Sequence, residues 1–145
     1  MNVGDIMTGS PVTIPSNGTL RQALKLMRSH SFRHLPVISS DGHLVGILSD
    51  RDCRLALNSP TMLRHRAHDE AILDHTIVAS IMTPAPIVVE PNMSAAEAAL
   101  LMVDHAISAL PVMRAETLVG IVTTSDVLLA FARSQRAHDL LPPLS

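Results

Sequence analysis

The stretch Gly46-Ile-Leu-Ser-Asp-Arg-Asp52 (GILSDRD) has a counterpart further along the chain, Gly120-Ile-Val-Thr-Thr-Ser-Asp126 (GIVTTSD). Each places a hydroxyl residue three positions after a glycine, and an aspartate three positions after the hydroxyl. An apolar segment that leads into such a phrase is typical of a strand that runs into a helix. The hydroxyl caps the first turn, and the acid suits the positive end of the helix dipole. We therefore predict that one strand-to-helix turn occurs twice.

The duplication extends well beyond these two phrases. Val3-Gly-Asp-Ile-Met-Thr8 aligns with Val78-Ala-Ser-Ile-Met-Thr83, and Leu35-Pro-Val37 aligns with Leu110-Pro-Val112, both at an offset of 75 residues (78 − 3). The offset changes by one in a loop, so that the phrases align at 74 (120 − 46). Self-similarity over this length indicates an internal repeat. The boundaries that it predicts are repeat 1 at 1–58, a connecting segment at 59–77, repeat 2 at 78–133 and a C-terminal tail at 134–145.

Local signals predict the same order of elements in each repeat: strand, helix, strand, strand, helix. Capping boxes at Thr19 to Gln22 and Ser94 to Glu97 open the first helices. The second helices begin near Ser49 and Thr123. A unit of about fifty residues buries too little surface to be stable alone. The predicted fold is therefore α/β, of the α+β kind, with two repeats packed sheet against sheet as a pseudo-twofold pair.

Composition excludes several classes of function. The net charge is −2 and aromatic residues are 1%, so neither a basic DNA footprint nor a stacking surface for single strands is present. No apolar run approaches a membrane span, and the N-terminus lacks the layout of a secretory signal. A single cysteine, Cys53, fits a reducing cytosol, so we predict a cytoplasmic protein without nucleic-acid or membrane partners.

The repeated phrase supports two interpretations. In the first, it only caps a helix. In the second, it binds a nucleotide: free N–H groups at the helix start attract phosphate, and the carboxylate accepts hydrogen bonds from the adjacent hydroxyls of a ribose. Recurrence at the same place in both repeats favours binding, but structural duplication alone explains it as well.

The chain resembles a pair of CBS (cystathionine-beta-synthase) domains, a Bateman module, over nearly its whole length. The resemblance rests on Asp5-Ile-Met-Thr8 and Ser80-Ile-Met-Thr83, on Leu-Pro-Val in each repeat, and on the two phrases. Together these motifs are specific to the family, although none is so alone. The family implies two clefts between paired sheets, each able to hold an adenosine derivative.

Site residues follow from that resemblance. Asp52 and Asp126 would hold the ribose hydroxyls, with Ser49 and Thr123 as their hydroxyl partners. Adenine would lie against apolar strand residues, namely Val12, Ile14, Ile87 and Val89.

The repeats differ where family members that sense nucleotides place phosphate contacts. Arg33 and His34 precede Leu35-Pro36, whereas Ser108 and Ala109 precede Leu110-Pro111. Basic residues here often serve the site whose aspartate belongs to the other repeat, so we predict that the Asp126 site favours a phosphate. Arg51 is a further candidate phosphate contact. The alternative is that Arg33 and Arg51 are solvated surface cations and His34 an ordinary strand residue.

The connecting segment carries potential zinc ligands, which raises a metal-dependent hydrolase as a rival. They are His65, His68, Asp69, Glu70, Asp74 and His75. His68 and His75 lie seven residues apart, too far for the usual i,i+4 pair of ligands, and no H-E-x-x-H is present. A solvated linker is therefore the preferred interpretation, and no metal is predicted.

These observations predict a non-catalytic regulatory module without a catalytic cofactor. It would bind AMP, ADP or ATP between its repeats, form a homodimer as the family implies, and regulate a separate, unknown protein. The alternative is a dimeric interaction scaffold that binds no nucleotide.

Overall fold

The computed structural model describes residues 1–58 and 66–139. The chain divides into two compact units, one of Pro11–Pro86 and the other of Met1–Ser10 with the residues from Ile87 onward. Each unit therefore contains the main part of one repeat and the opening segment of the other.

The unit Pro11–Pro86 is built on a mixed sheet. Its described elements are β2 (Ile14–Pro15), α2 (Leu20–His30), β3 (His34–Ile38), β4 (Leu44–Ser49), α3 (Asp50–Leu57), α4 (Arg66–His75), α5 (Val78–Ile81) and β5 (Thr83–Pro84). The strand order is β2–β3–β4–β5, with β2 parallel to β3 and the other pairs antiparallel. The turn between β3 and β4 contains Gly42 at φ +86°, a conformation that glycine adopts without strain.

The helix α2 forms where the sequence predicts it. Thr19 Oγ1 accepts a hydrogen bond from the Gln22 N–H at 3.2 Å, and Gln22 Oε1 accepts one from the Thr19 N–H at 2.9 Å, which completes the capping box. Leu20, Ala23 and Met27 on one helical face are buried against the sheet. This apolar stripe fixes α2 against β3.

The second unit repeats this plan. Its described elements are α1 (Val3–Ile6), β1 (Thr8–Gly9), α6 (Ala95–His105), β6 (Ala109–Arg114), β7 (Thr117–Thr123) and α7 (Thr124–Asp139). The strand order is β1–β7–β6, and Val89 makes a parallel bridge to Val112 at the other edge. A separate core lies here, with Val3, Leu110, Val112 and Val122 fully buried.

Some elements differ from the sequence-based predictions. The segment expected to be a solvated linker contains α4, whose Ile72 and Leu73 pack against the core of its unit. The helix α7 continues into the predicted C-terminal tail, through Ser134 to Asp139, since no glycine or proline interrupts it there. The second capping box is half formed: Ser94 Oγ accepts from the Glu97 N–H at 3.0 Å, without the reciprocal bond.

Candidate functional site

The first phrase forms the turn between β4 and α3. Ser49 has extended backbone angles and caps the helix, its Oγ accepting a hydrogen bond from the Asp52 N–H at 3.1 Å. Asp52 Oδ2 accepts one from the Ser49 N–H at 2.8 Å. Both side chains are half-buried. The phrase is therefore a complete capping box, as one of its two interpretations predicts.

The second phrase forms the same turn between β7 and α7. Asp126 Oδ2 accepts from the Thr123 N–H at 2.8 Å, and the Asp126 N–H donates to Thr123 Oγ1 at 3.3 Å. The Thr123 hydroxyl also donates to Asp126 Oδ2, at 3.1 Å. The capping interpretation is thus confirmed in both repeats.

Capping does not use the whole of either carboxylate. In Asp52 and in Asp126 only Oδ2 takes part in the box, and Oδ1 makes no hydrogen bond within residues 1–58 and 66–139. Each carboxylate oxygen has two lone pairs. Both side chains therefore keep acceptor capacity at the start of a helix, where they are held in one orientation.

The glycine of each phrase has a packing role that its sequence context does not reveal. Gly46 and Gly120 lie within β4 and β7, well before the turn, so they do not serve to bend the chain there. A Cβ on Gly46 would lie within contact distance of Met82 Sδ and 3.0 Å from Thr83 O. A Cβ on Gly120 would meet Met7 Sδ and lie 2.9 Å from Thr8 O. Each glycine therefore makes room for the Ile-Met-Thr segment of its unit.

Two of the predicted phosphate contacts lie beside the first turn. His34 on β3 faces Ser49 on β4, and the Arg33 carbonyl accepts a hydrogen bond from the Asp50 N–H at 2.8 Å. Burial lowers the pKa of His34, against the opposing attraction of Asp50 and Asp52, so this imidazole is neutral at pH 7. The Arg33 side chain is exposed.

The remaining flanking residues differ between the two turns. Arg51 is exposed in the first turn of α3. At the second turn, the Ser108 carbonyl accepts from the Thr124 N–H at 3.0 Å, and Ala109 faces Thr123. The two turns thus share one backbone arrangement but differ in the charge beside them.

The four apolar candidates fall into two pairs. Ile14 and Val89 are 1% and 2% exposed and belong to the cores of their respective units. Val12 and Ile87 are half-buried and pack at the margin of the same cores. Only the second pair has surface left for a ligand.

Two acidic residues of the connecting segment, Glu70 and Asp74, serve as ion-pair partners. The Arg21 guanidinium pairs with Glu70 and donates to Asp74 Oδ1 at 2.6 Å, which joins α2 to α4. Of the histidine candidates, His65 lies outside the described residues. Across residues 1–58 and 66–139, no group of three His, Cys, Asp or Glu side chains is placed to hold a metal ion.

Sequence reasoning missed the part that Met7 and Met82 play. Each packs against the core of its unit, and its side chain also lies over the phrase glycine, Gly120 for Met7 and Gly46 for Met82. A signal was present, because Ile-Met-Thr and the phrase glycine both occur twice.

None of the helices in the described segments is long and apolar enough to cross a bilayer.

Comparisons with known proteins agree with this arrangement. The CBS domain family model matches residues 3–59 and 78–133. A CBS domain-containing protein of Dictyostelium discoideum is 39% identical over 127 residues, which are 87% of this chain and 88% of that protein.

Two solved structures share the fold at moderate identity. The CBS domain pair of protein MJ0100, in complex with 5-methylthioadenosine and S-adenosyl-L-methionine, superposes with a TM-score of 0.78 at 29% identity, over 92% of this chain and 98% of that one. CBSX2 in complex with AMP has a TM-score of 0.74 at 27% identity, over 93% and 98% of the two chains.

Proposed function

Since this chain belongs to the CBS domain family and carries two copies of the domain, we propose that it is a non-catalytic regulatory module that binds an adenosine-containing ligand. The ligand is of the AMP, ADP or ATP class. Its binding favours one conformation of the module and so regulates a separate protein. A ligand shifts such an equilibrium only by its difference in affinity for the two states.

One observation carries this proposal. At each strand-to-helix turn a half-buried carboxylate is held by its own backbone through Oδ2, while Oδ1 has no hydrogen bond within the described residues. A fixed acceptor of this kind suits two adjacent hydroxyls, and adenosine carries such a pair on its ribose. The compounds bound to MJ0100 and CBSX2 all contain adenosine.

The flanking residues suggest where phosphate and base are held. Arg33 and His34 remain the proposed phosphate contacts, with Arg51 as a further one. The neutral state of His34 makes it a hydrogen-bonding group at pH 7 rather than a fixed charge. Val12 and Ile87 retain exposed surface, so they are better placed than Ile14 and Val89 to contact adenine.

Calorimetric titration of AMP, ADP and ATP against Asp52→Ala and Asp126→Ala tests the proposal. A hydrogen bond to a charged group contributes about 1.5–3 kcal/mol, so removal of a ribose contact weakens binding roughly 10- to 100-fold. We expect the larger loss of phosphate-bearing ligands from Asp126→Ala, as the asymmetry of the repeats predicts. Equal losses from both variants would contradict the asymmetry but not the binding.

Asp5→Ala is the matched control. Asp5 Oδ2 accepts from the Asn2 N–H at 2.7 Å, so it too is the acid of a capping box, but at α1. This variant is expected to lose stability without losing affinity. If Asp5→Ala weakened the ligand as much as the two test variants, the losses would report helix capping and not ligand contact.

A dimeric interaction scaffold is the second candidate, because both capping boxes are complete without a ligand. Thermal-shift measurement separates the two functions. A ligand at a hundred times its dissociation constant adds about 2.7 kcal/mol of stability. If none of the three nucleotides, nor S-adenosylmethionine, raises the melting temperature or gives heat of binding, the scaffold is the function that remains.

We further propose that the module is a homodimer of the cytoplasm. The support for a dimer is a set of exposed apolar side chains on α6 and α7, with Leu100 60%, Val103 75%, Leu128 67% and Phe131 63% exposed. Light scattering combined with size exclusion measures the mass directly. The double variant Leu128→Glu/Phe131→Glu is expected to be a monomer.

A further inference from the structure

Each unit is completed by the opening segment of a repeat, which pairs with one strand of the sheet and buries a valine in the core. We call these two segments straps. The N-terminal strap is Met1–Ser10, which contains α1 and β1, and the internal strap is Thr76–Ala85, which contains α5 and β5. Val3 of one strap and Val78 of the other are fully buried in their respective cores. Neither strap is packed on the repeat that its own sequence begins.

The two straps are bound by the same backbone contacts. Val3 N–H donates to Met93 O at 2.8 Å and Gly4 N–H to Pro91 O at 2.8 Å. At the equivalent positions, Val78 N–H donates to Gly18 O at 2.8 Å and Ala79 N–H to Ser16 O at 3.0 Å. The other side of each strap pairs with the strand that holds the phrase glycine, through Thr8↔Ile121 in one unit and Thr83↔Ile47 in the other.

Both straps therefore share one sequence pattern, Val-x-x-Ile-Met-Thr, and occupy equivalent grooves between the residues that bind them on either side. In each, the valine lies in the core and the methionine lies over a glycine. Nothing in these contacts requires the strap and the groove to lie on one chain. A second copy of the chain presents an identical strap.

The connection that holds the N-terminal strap in its own chain is strained. Ser10 has φ +48°, and the next residue is Pro11, where the chain passes into the other unit. A positive φ is unfavourable for a residue with a side chain, and a following proline restricts that residue further. This one hinge joins the strap to the unit Pro11–Pro86, so a change of its backbone angles is enough to redirect the strap from its own chain to a second copy.

We propose that the N-terminal strap exchanges between two copies of this chain, so that Met1–Ser10 of each copy completes the Ile87–Asp139 unit of the other. Exchange of an identical element reproduces every contact of the closed form and changes only the hinge, which makes it a low-cost route to a dimer. In the exchanged form Ser10 takes an extended conformation, and its strain is released. This dimer is distinct from one formed through α6 and α7.

Cysteine trapping between two full-length chains tests this exchange. One chain carries Thr8→Cys and the other, with a different tag, carries Ile121→Cys; these positions face each other in the β1–β7 pair. Facing Cα atoms in an antiparallel pair lie about 4.5–5.5 Å apart, within the range that a disulfide spans. The two chains are refolded together from urea, oxidised, and separated by mass without reductant.

We expect a disulfide-linked heterodimer in amounts several times those of a control mixture of Thr8→Cys with Thr117→Cys. Thr117 is exposed at the far end of β7, opposite Arg114, and does not face the strap. The double variant Thr8→Cys/Ile121→Cys, refolded at high dilution, should close its disulfide within one chain. If that internal disulfide forms and the mixed single variants give no more heterodimer than the control, the proposal is overturned.

A second variant tests the source of the driving force. Ser10→Gly removes the penalty of the positive φ from the closed form, which amounts to about tenfold for one hinge. Each exchanged dimer releases two such hinges, so the dimerisation constant, and with it the yield of trapped heterodimer at low conversion, is expected to fall about a hundredfold when both chains carry Ser10→Gly. An unchanged yield would overturn the assignment of the hinge at Ser10.

Discussion

At the scale of single residues, the contact between glycine and methionine decides how each strap fits. Ala at Gly46 or Gly120 places a Cβ against a methionine sulfur and against the backbone oxygen of Thr83 or Thr8, at 3.0 or 2.9 Å. The side chain can move, but the backbone oxygen belongs to a strand pair and cannot move without breaking it. We expect each substitution to lower the free energy of unfolding by about 1–3 kcal/mol, as overpacking does. Urea denaturation measures this loss.

Gly9→Ala is the matched control for that prediction. A Cβ there would meet only Val119 O, at 4.0 Å, so little change in stability is expected. In a double-mutant cycle, Gly120→Ala should cost less on a Met7→Ala background than in the parent, because the contact with the sulfur is gone and only that with Thr8 O remains. Equal effects at Gly9 and Gly120 would show that backbone flexibility, not the methionine contact, is responsible.

A second residue-scale prediction concerns the end of α6. Ala106 ends this helix in the left-handed region, at φ 53° and ψ 45°, where glycine is the usual residue. Ala106→Gly is therefore expected to stabilise the protein by about 1 kcal/mol. Ala99→Gly, in the interior of the same helix, should destabilise it by about as much. Thermal unfolding of the two variants tests the opposite signs.

At the scale of elements, α4 is held to α2 by charge. The hydrogen bond from Arg21 lowers the pKa of Asp74 in the folded state. A carboxyl with a depressed pKa stabilises the fold fully above its ordinary pKa, near 4, and the contribution is lost as pH falls through the folded value. Acidification from pH 6 should therefore loosen α4 before α2, which amide hydrogen exchange can resolve by segment.

Arg21→Gln should loosen α4 already at neutral pH, since it removes the partner of both acids. Lys25→Gln, on the exposed side of the same helix, is the control. Both ends of the ion pair are about half exposed, so salt should weaken it as well. If α4 kept its protection in Arg21→Gln, its packing through Ile72 and Leu73 would be sufficient alone.

The elements that sequence could predict are those fixed by local signals. The capping box at Thr19, the hairpin turn at Gly42 and the turns at Ser49 and Thr123 depend on residues within a few positions of each other. The helix α4 depends on Arg21, some fifty residues away, and its own apolar pattern is weak. For the same reason the capping hydrogen bonds at each candidate site could be predicted from sequence, whereas the contact of each phrase glycine with a methionine could not.

At the scale of the whole molecule, sequence similarity identifies the two repeats but cannot tell which opening segment completes which unit. Val3 and Val78 occupy the same position in the repeat, and either assignment would bury both. The structure buries Val3 with Val89 and Leu110, and Val78 with Ile14 and Leu35. The two valines are therefore matched controls for each other.

Val3→Ala and Val78→Ala should each cost about 2 kcal/mol, through lost contacts and a small cavity. The effects should fall on different parts of the chain. Val3→Ala is expected to speed amide exchange in α6, β6 and β7, which follow it by ninety residues or more, and to spare α2 and β3. Val78→Ala should do the reverse. Native-state hydrogen exchange at low denaturant measures both effects, because it resolves partial unfolding that costs less than the global free energy of unfolding. If Val3→Ala loosened α2 and β3 instead, the N-terminal segment would complete its own repeat, and exchange of that segment between copies would lose its structural basis.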